Sequence, residues 1–127
     1  MTEPKRRLVV DDMRVFSFEA EYCRSLDGAL VRVFAEPWDE VYLDHDLGAQ
    51  DNIRPVVARL EQLAREGSPA EIRKIYIVTA NPVAAEWMAL GLSEYPTARM
   101  RIPSTSLTLR EAVRAQREEK ELYANGG

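Results

Sequence analysis

Short apolar runs that stop abruptly at acids recur along this chain, and longer stretches of helical spacing separate them. Leu8-Val9-Val10 runs straight into Asp11-Asp12, which reads as a buried strand whose tip turns polar. Val41-Tyr42-Leu43 runs likewise into Asp44-His45-Asp46-Leu47-Gly48, where the glycine permits a turn. Ile75-Tyr76-Ile77-Val78 is the richest run in β-branched and aromatic residues, and it ends at Thr79-Ala80-Asn81-Pro82. From Val15 to Tyr22 the positions Phe16, Phe18, Ala20 and Tyr22 alternate with Ser17, Glu19 and Glu21. Period two predicts a strand with one wet face, leaving no room for a helix before it. Thr97 to Ile102 predicts a further, weaker strand.

Between these strands the apolar period changes to that of a helix. Ser25 is placed to cap an amphipathic helix in which Leu26, Ala29, Leu30, Val33 and Phe34 follow at helical spacing until Pro37 closes it. Asp51 or Asn52 is the expected cap of a second helix, with Ile53, Val56, Val57, Leu60, Leu63 and Ala64 on one face, stopped by Gly67-Ser68-Pro69. Asn81-Pro82 opens a third, with Trp87, Met88 and Leu92 inward, and Thr108 with Glu111 forms a capping box for a last helix carrying Leu109, Ala112 and Val113. Past Arg117 that last helix becomes mostly charged. Strands alternating with helices imply crossover connections, hence parallel strands with helices on the sheet faces. The expected architecture is an α/β flavodoxin-like three-layer sandwich with a mostly parallel sheet of about five strands, its first crossover helix reduced or missing. It forms one domain over 1–127, with a core over 6–113 and a charged helix and tail over 114–127.

Composition narrows the function more than the fold. An apolar content of 46% beside 30% charged residues fits an ordinary globular chain rather than a disordered one. Cys23 is the only cysteine, so neither an intramolecular disulfide nor a cysteine-built zinc site is available, and a reducing, cytoplasmic setting is expected. No stretch approaches the ~20 apolar residues that span a bilayer, and no signal peptide is recognisable, so no membrane partner is expected. A net charge of -4 argues against broad, sequence-independent binding to duplex nucleic acid, so no duplex DNA partner is expected, since such binding relies on basic surface.

In sheets of this kind, ligands bind beyond the carboxyl ends of the strands. With the first and third main strands adjacent, Asp11, Asp12 and Asp44 converge there. Two charges about 5 Å apart repel by roughly 3 kcal/mol at an effective dielectric near 20. A hard, oxygen-seeking Mg²⁺, or Mn²⁺, is the natural neutraliser. A metal-free alternative has Asp12 capping a turn, Asp46 preceding the turn glycine and Arg14 neutralising the remainder. His45 is the only histidine and can act as a general acid toward a phosphoester leaving group, although in an extended segment its ring points away from Asp44 and Asp46. Thr79 can reach a phosphoryl oxygen from a strand tip, and the helix start at Asn81 can hold an anion or simply be a capped end. Trp38, Trp87 and Cys23 read as packing residues.

Three blocks, Val10-Asp11-Asp12-Met13-Arg14, Leu43-Asp44-His45-Asp46-Leu47-Gly48 and Ala80-Asn81-Pro82-Val83, with Met88 at a matching spacing, resemble the cyclic-phosphate processing receiver-like domain, a divergent relative of two-component receivers. The six-residue block around His45 is the specific part, and the resemblance covers roughly residues 6 to 92. It implies a receiver fold with an acidic pocket acting on phosphate-bearing substrates such as cyclic phosphates of nucleotides or RNA ends. The implied site comprises Asp11, Asp12, Arg14, Asp44, His45, Asp46 and Asn81. The chain departs from the family where His-Ser is usual before Ala-Asn-Pro, because it has Val78-Thr79. Thr79 and Asp44 match instead the threonine and phosphoacceptor positions of ordinary receivers. The lysine usual before a later proline is replaced by Arg101-Ile102-Pro103, so Arg99 or Arg101 is the expected source of that charge.

Three functions follow. A metal-dependent phosphoesterase would place Mg²⁺ or Mn²⁺ on Asp11, Asp12 and Asp44, use His45, Asp44 and Asp46 in catalysis, and hold the phosphate with Arg14, Thr79 and Asn81. A non-catalytic module would bind a protein or nucleotide partner. A signalling receiver would take a phosphoryl group on Asp44.

Overall fold

A computed structural model describes residues 5–47, 51–79, 81–93 and 95, together with the backbone of 98–100 and 106–107. The strands are β1 (Arg7–Val10), β2 (Val15–Phe16), β3 (Glu21–Cys23), β4 (Trp38–Leu43), β5 (Ile72–Ile77), β6 (Ala98–Met100) and β7 (Ser106–Leu107). The helices are α1 (Leu26–Ala35), α2 (Arg54–Arg65) and α3 (Pro82–Gly91). Five strands form one sheet in the order β3-β1-β4-β5-β6, every neighbouring pair parallel, while β2 and β7 pair antiparallel in a separate ribbon. Without the ribbon, the second main strand lies outside the first and the third begins the return, which is the flavodoxin-like order.

Alternation along the strands splits the core in two. Leu8, Val10, Val41, Leu43, Ile75 and Ile77 face α1, α2 and α3, where Val33, Val57, Leu60 and Met88 meet them. Val9, Tyr42 and Val78 face the other way and are covered by Phe16, with Phe18, Ala20, Tyr22 and Tyr76 packed alongside. Ring centroids there step from Phe16 to Phe18 at 5.1 Å, to Tyr42 at 4.9 Å and to Tyr76 at 4.7 Å.

The link from β1 to β3 contains no helix, as expected. Parallel strands ordinarily need a longer crossover. Here β3 pairs only from Glu21 opposite Leu8 to Cys23 opposite Val10, so the chain need run back only about 7 Å. The continuous strand expected over Val15–Tyr22 is broken into β2 and β3. Its alternation persists as burial, with Phe16, Phe18, Ala20 and Tyr22 turned inward between exposed Ser17, Glu19 and Glu21. Period two recorded which side is wet, and sheet pairing did not follow from it.

Two helix starts match expectation. Ser25 Oγ accepts from the Gly28 amide at 3.1 Å, and Asn81 Oδ1 accepts from the amides of Val83 and Ala84 ahead of Pro82. At α2 the cap position belongs to buried Ile53, with no side-chain cap, rather than to Asp51 or Asn52. Asn52 Oδ1 instead accepts from the Arg54 amide at 2.9 Å, one residue too early to be the cap. Gly67, at φ 79°, ends α2 in the left-handed region. The expectations for Gly48, Ala80, Arg101 and the last helix with its Thr108–Glu111 box lie outside the described residues. Among the described residues, no helix is long and apolar enough to cross a membrane.

A buried ion pair secures the amino end of the sheet. Glu40, 5% exposed, accepts from Arg7 Nε at 2.6 Å and from the Tyr42 hydroxyl at 2.9 Å, with Lys5 Nζ 3.6 Å away. Burial pushes the Glu40 carboxyl up, but the hydrogen bonds from Arg7 and Tyr42 and the charges of Arg7 and Lys5 outweigh it, leaving the pKa below its ordinary 4.5. Such a carboxylate contributes stability above pH 4.5 that is lost as pH falls through the lower folded value. Glu40→Gln is therefore expected to cost about 1–3 kcal/mol at neutral pH. Urea unfolding from neutral pH downward should show the gap to wild type closing in acid.

Candidate functional site

Parallel register places the acids. Val10 lies opposite Leu43, so the next residues, Asp11 and Asp44, emerge on adjacent strands at the same level. The Asp44 amide donates to the Val10 carbonyl at 3.0 Å, the Asp11 amide to that of Cys23 at 3.1 Å and the Val78 amide to that of Leu43 at 2.9 Å. The ladders thus carry rigid geometry up to the acids. Both are buried, Asp11 at 2% and Asp44 at 8% exposure, and Asp12 is half-buried beside them. One carboxylate oxygen from each of Asp11, Asp12 and Asp44 lies within 4.8 Å of the others.

Asp11 Oδ1 accepts from the amides of Met13 at 2.9 Å and Arg14 at 2.8 Å, closing a tight turn. Its Oδ2 is buried without a hydrogen-bond partner, the only such side-chain atom among the described residues. Arg14 Nη1 stands 3.9 Å from that oxygen and donates to the Val78 carbonyl at 3.1 Å. The Arg14 side chain therefore reaches from the β1 turn to the end of β5, with β4 between those strands. Arg14 brings a positive charge to the site; the expectation for Arg99 or Arg101 falls on the Arg99 side chain and on Arg101, which lie outside the described residues.

Asp44 carries the electrostatic cost. Burial first, then the charge of Asp11 and to a smaller extent that of Asp46, push its carboxyl up to about 7, while Arg14 and a hydrogen bond from the His45 backbone pull the other way.

His45 does not point away from Asp46 as an extended segment would require. The chain leaves the strand after Leu43, the His45 carbonyl accepts from the Ile53 amide at 2.9 Å, and Asp46 forms an isolated bridge with Asn52. His45 Nδ1 then lies 2.9 Å from Asp46 Oδ1, so Nδ1 carries the proton and Nε2 is left to exchange one. The ring meets Trp87 edge to face, centroids 6.5 Å apart, and the Arg54 guanidinium lies 5.0 Å over the same indole. Thr79 Oγ1 accepts from the Asn81 amide at 3.2 Å, and Asn81 Oδ1 is engaged in capping α3. The two thus pair with each other and with the helix start.

The structure therefore brings together Asp11, Asp12 and Asp44, ties Arg14 to them, pairs His45 with Asp46, and pairs Thr79 with Asn81. Among the described residues, no hydrogen bond joins the imidazole to the acidic cup. Trp87 packs against the core as expected; sequence reasoning missed Arg54, which lies over its ring, and Arg24, whose guanidinium bonds the 11–14 turn. The available signal for Arg24 was its place directly after a strand, at the sheet end where the acids sit.

An all-parallel sheet in this order, with acids gathered beyond adjacent strand ends, defines a flavodoxin-like domain of the receiver type. Residues 6–94 match the cyclic-phosphate processing receiver domain, and the chain belongs to that family. Among solved structures it is similar to a CheY-like response regulator receiver domain protein from Methanospirillum hungatei JF-1, with TM-score 0.53 and 16% identity over 98% of this chain and 100% of that one. It is also similar to a chain in which the yeast Spc42 trimeric coiled coil is fused to another protein, with TM-score 0.55 and 16% identity over 98% of this chain and 82% of that one. At such identity both concern the fold alone. No curated protein matches. Where the family usually carries a histidine, this chain has Val78, buried against Val9, Phe16 and Tyr42.

A carboxyl with a raised pKa keeps its proton longer in the folded chain. Between 3.8 and about 7 the unfolded state then binds fewer protons, and stability falls as pH rises through that window. In a chelator above that window, Asp44→Asn is expected to be more stable than wild type by about 2–4 kcal/mol. Urea unfolding across pH should show the difference vanishing in acid.

Proposed function

We propose that this domain is a divalent-cation-dependent phosphoesterase acting on cyclic phosphates of nucleotides or RNA ends. The observation that carries the reading is the buried Asp11 carboxylate, with one oxygen lacking a hydrogen bond, converging on Asp12 and Asp44 within 4.8 Å. An all-carboxylate oxygen donor set fits Mg²⁺ or Mn²⁺ better than a metal that prefers thiolate or imidazole. Asp11, Asp12 and Asp44 would hold the ion. When bound there, a divalent cation offsets the carboxylate charge and polarises a phosphoryl oxygen.

The chain's own residues do the rest. Arg14, already at the rim and held by the Val78 carbonyl, retains N–H groups for a phosphate oxygen. Thr79 keeps its hydroxyl hydrogen for a second one while its oxygen accepts from Asn81. Water attacks phosphorus, the bond to one ester oxygen breaks, and that oxygen takes the proton of His45 Nε2. The proton lost by the water restores the imidazolium. Asp46 holds Nδ1–H throughout and stabilises the charged ring. With Val78 where a second histidine is usual, one imidazole serves both transfers in turn. Such relaying calls for a leaving oxygen that is easily expelled, as in a strained cyclic phosphate.

Saturating Mn²⁺ at about 100 times its Kd should stabilise the wild-type fold by ~2.7 kcal/mol, and Asp11→Asn should abolish the effect. A nucleoside 2′,3′-cyclic phosphate should be hydrolysed only with Mg²⁺ or Mn²⁺, and His45→Gln should slow turnover by about 100-fold while leaving the Mn²⁺ stabilisation intact. Metal-independent turnover, or full activity in His45→Gln, would contradict the proposal. A stable mass increase on Asp44 after exposure to a small phosphodonor would point to phosphoryl acceptance instead.

A further inference from the structure

The turn that presents Asp11, Asp12 and Arg14 lies where a crossover helix would ordinarily begin. In such a helix the carbonyls of the first turn accept amides four residues on. No helix follows β1, so the carbonyls of Asp11 and Arg14 need another donor. Arg24, immediately after β3, supplies it. Its Nη1 donates to the Arg14 carbonyl at 2.6 Å and to the Asp11 carbonyl at 3.2 Å. The guanidinium lies 4.5 Å over the Tyr22 ring, which fixes the direction from which it approaches. The turn is thus held from outside by Arg24 and from inside by Asp11 Oδ1, which accepts from the amides of Met13 and Arg14.

We infer that Arg24 is a positioning residue, a clip that takes the place of the missing helix and fixes Asp11, Asp12 and Arg14 in the geometry needed to hold a cation and a phosphate. This rests on the function proposed above for what the clip serves, whereas the clip itself stands on the hydrogen bonds. Arg24 acts through the Asp11 and Arg14 backbone and needs no contact with substrate.

Amide hydrogen exchange tests the clip without reference to metal or activity. In Arg24→Ala, exchange at Met13 and Arg14 should speed up by about tenfold or more, with Val9 and Val10 in β1 unchanged. Arg24→Lys can offer two hydrogens from one nitrogen as Nη1 does, and should recover part of the protection. Arg32→Ala, which removes a nearby guanidinium bonded to Glu21 rather than to the turn, should leave Met13 and Arg14 unaffected. Unchanged exchange at Met13 and Arg14 in Arg24→Ala would overturn the inference. Equal acceleration throughout β1 would overturn it too, because Arg24 would then only stabilise the fold. Mn²⁺ affinity, read on the same proteins, should fall by about tenfold in Arg24→Ala and return in part in Arg24→Lys. If wild type takes up no Mn²⁺, the metal reading fails and the exchange result alone decides the clip.

Discussion

Two carboxylates buried side by side at the ends of adjacent strands are the constraint around which the rest of this site is arranged. β1 and β4 lie in parallel register, so Asp11 and Asp44 cannot move apart without breaking the ladder that ends at Val10 and Leu43. At separations under 5 Å, two such charges repel by about 3 kcal/mol even at an effective dielectric near 20. The protein answers with backbone donors to Asp11 Oδ1, with Arg14 at the edge of the pair, and with a proton that Asp44 keeps up to about pH 7. None of these supplies a hydrogen bond to Asp11 Oδ2. A cation in the cup would relieve both the repulsion and the unpartnered oxygen, so its binding energy comes partly from cost already present in the fold.

The second constraint is the absent crossover helix. Among the described residues, the Phe16–Phe18 segment covers the sheet face turned away from the helices, through aromatic contacts with Tyr42. The missing helix leaves the 11–14 turn without the hydrogen bonds of a helix start. Arg24 and Arg14 act as two guanidinium braces there, one on backbone carbonyls and the other reaching across to Val78.

Much of this was legible beforehand, for a specific reason. Strand tips where apolar runs meet acids mark the ligand end of a parallel sheet. Asp11, Asp12 and Asp44 could therefore be placed together from Leu8–Val10 and Val41–Leu43 alone, and the caps at Ser25 and Asn81 followed from side-chain chemistry. What could not be read depended on long-range contacts. The break between β2 and β3 is invisible to periodicity, because burial alternates through it unchanged. The start of α2 at Arg54 follows from Ile53 being drawn into the core. His45 turns to Asp46 because the chain leaves β4 after Leu43 and is held at Ile53, and Arg24 meets the turn only through the pairing of β3 with β1.

Whether the three converging carboxylates hold a cation is decided by anomalous diffraction from a crystal of the wild-type protein equilibrated with Mn²⁺. The expected result is an anomalous peak bounded by carboxylate oxygens of Asp11, Asp12 and Asp44, with Asp11 Oδ2 among its ligands. No peak there at saturating Mn²⁺ would contradict it.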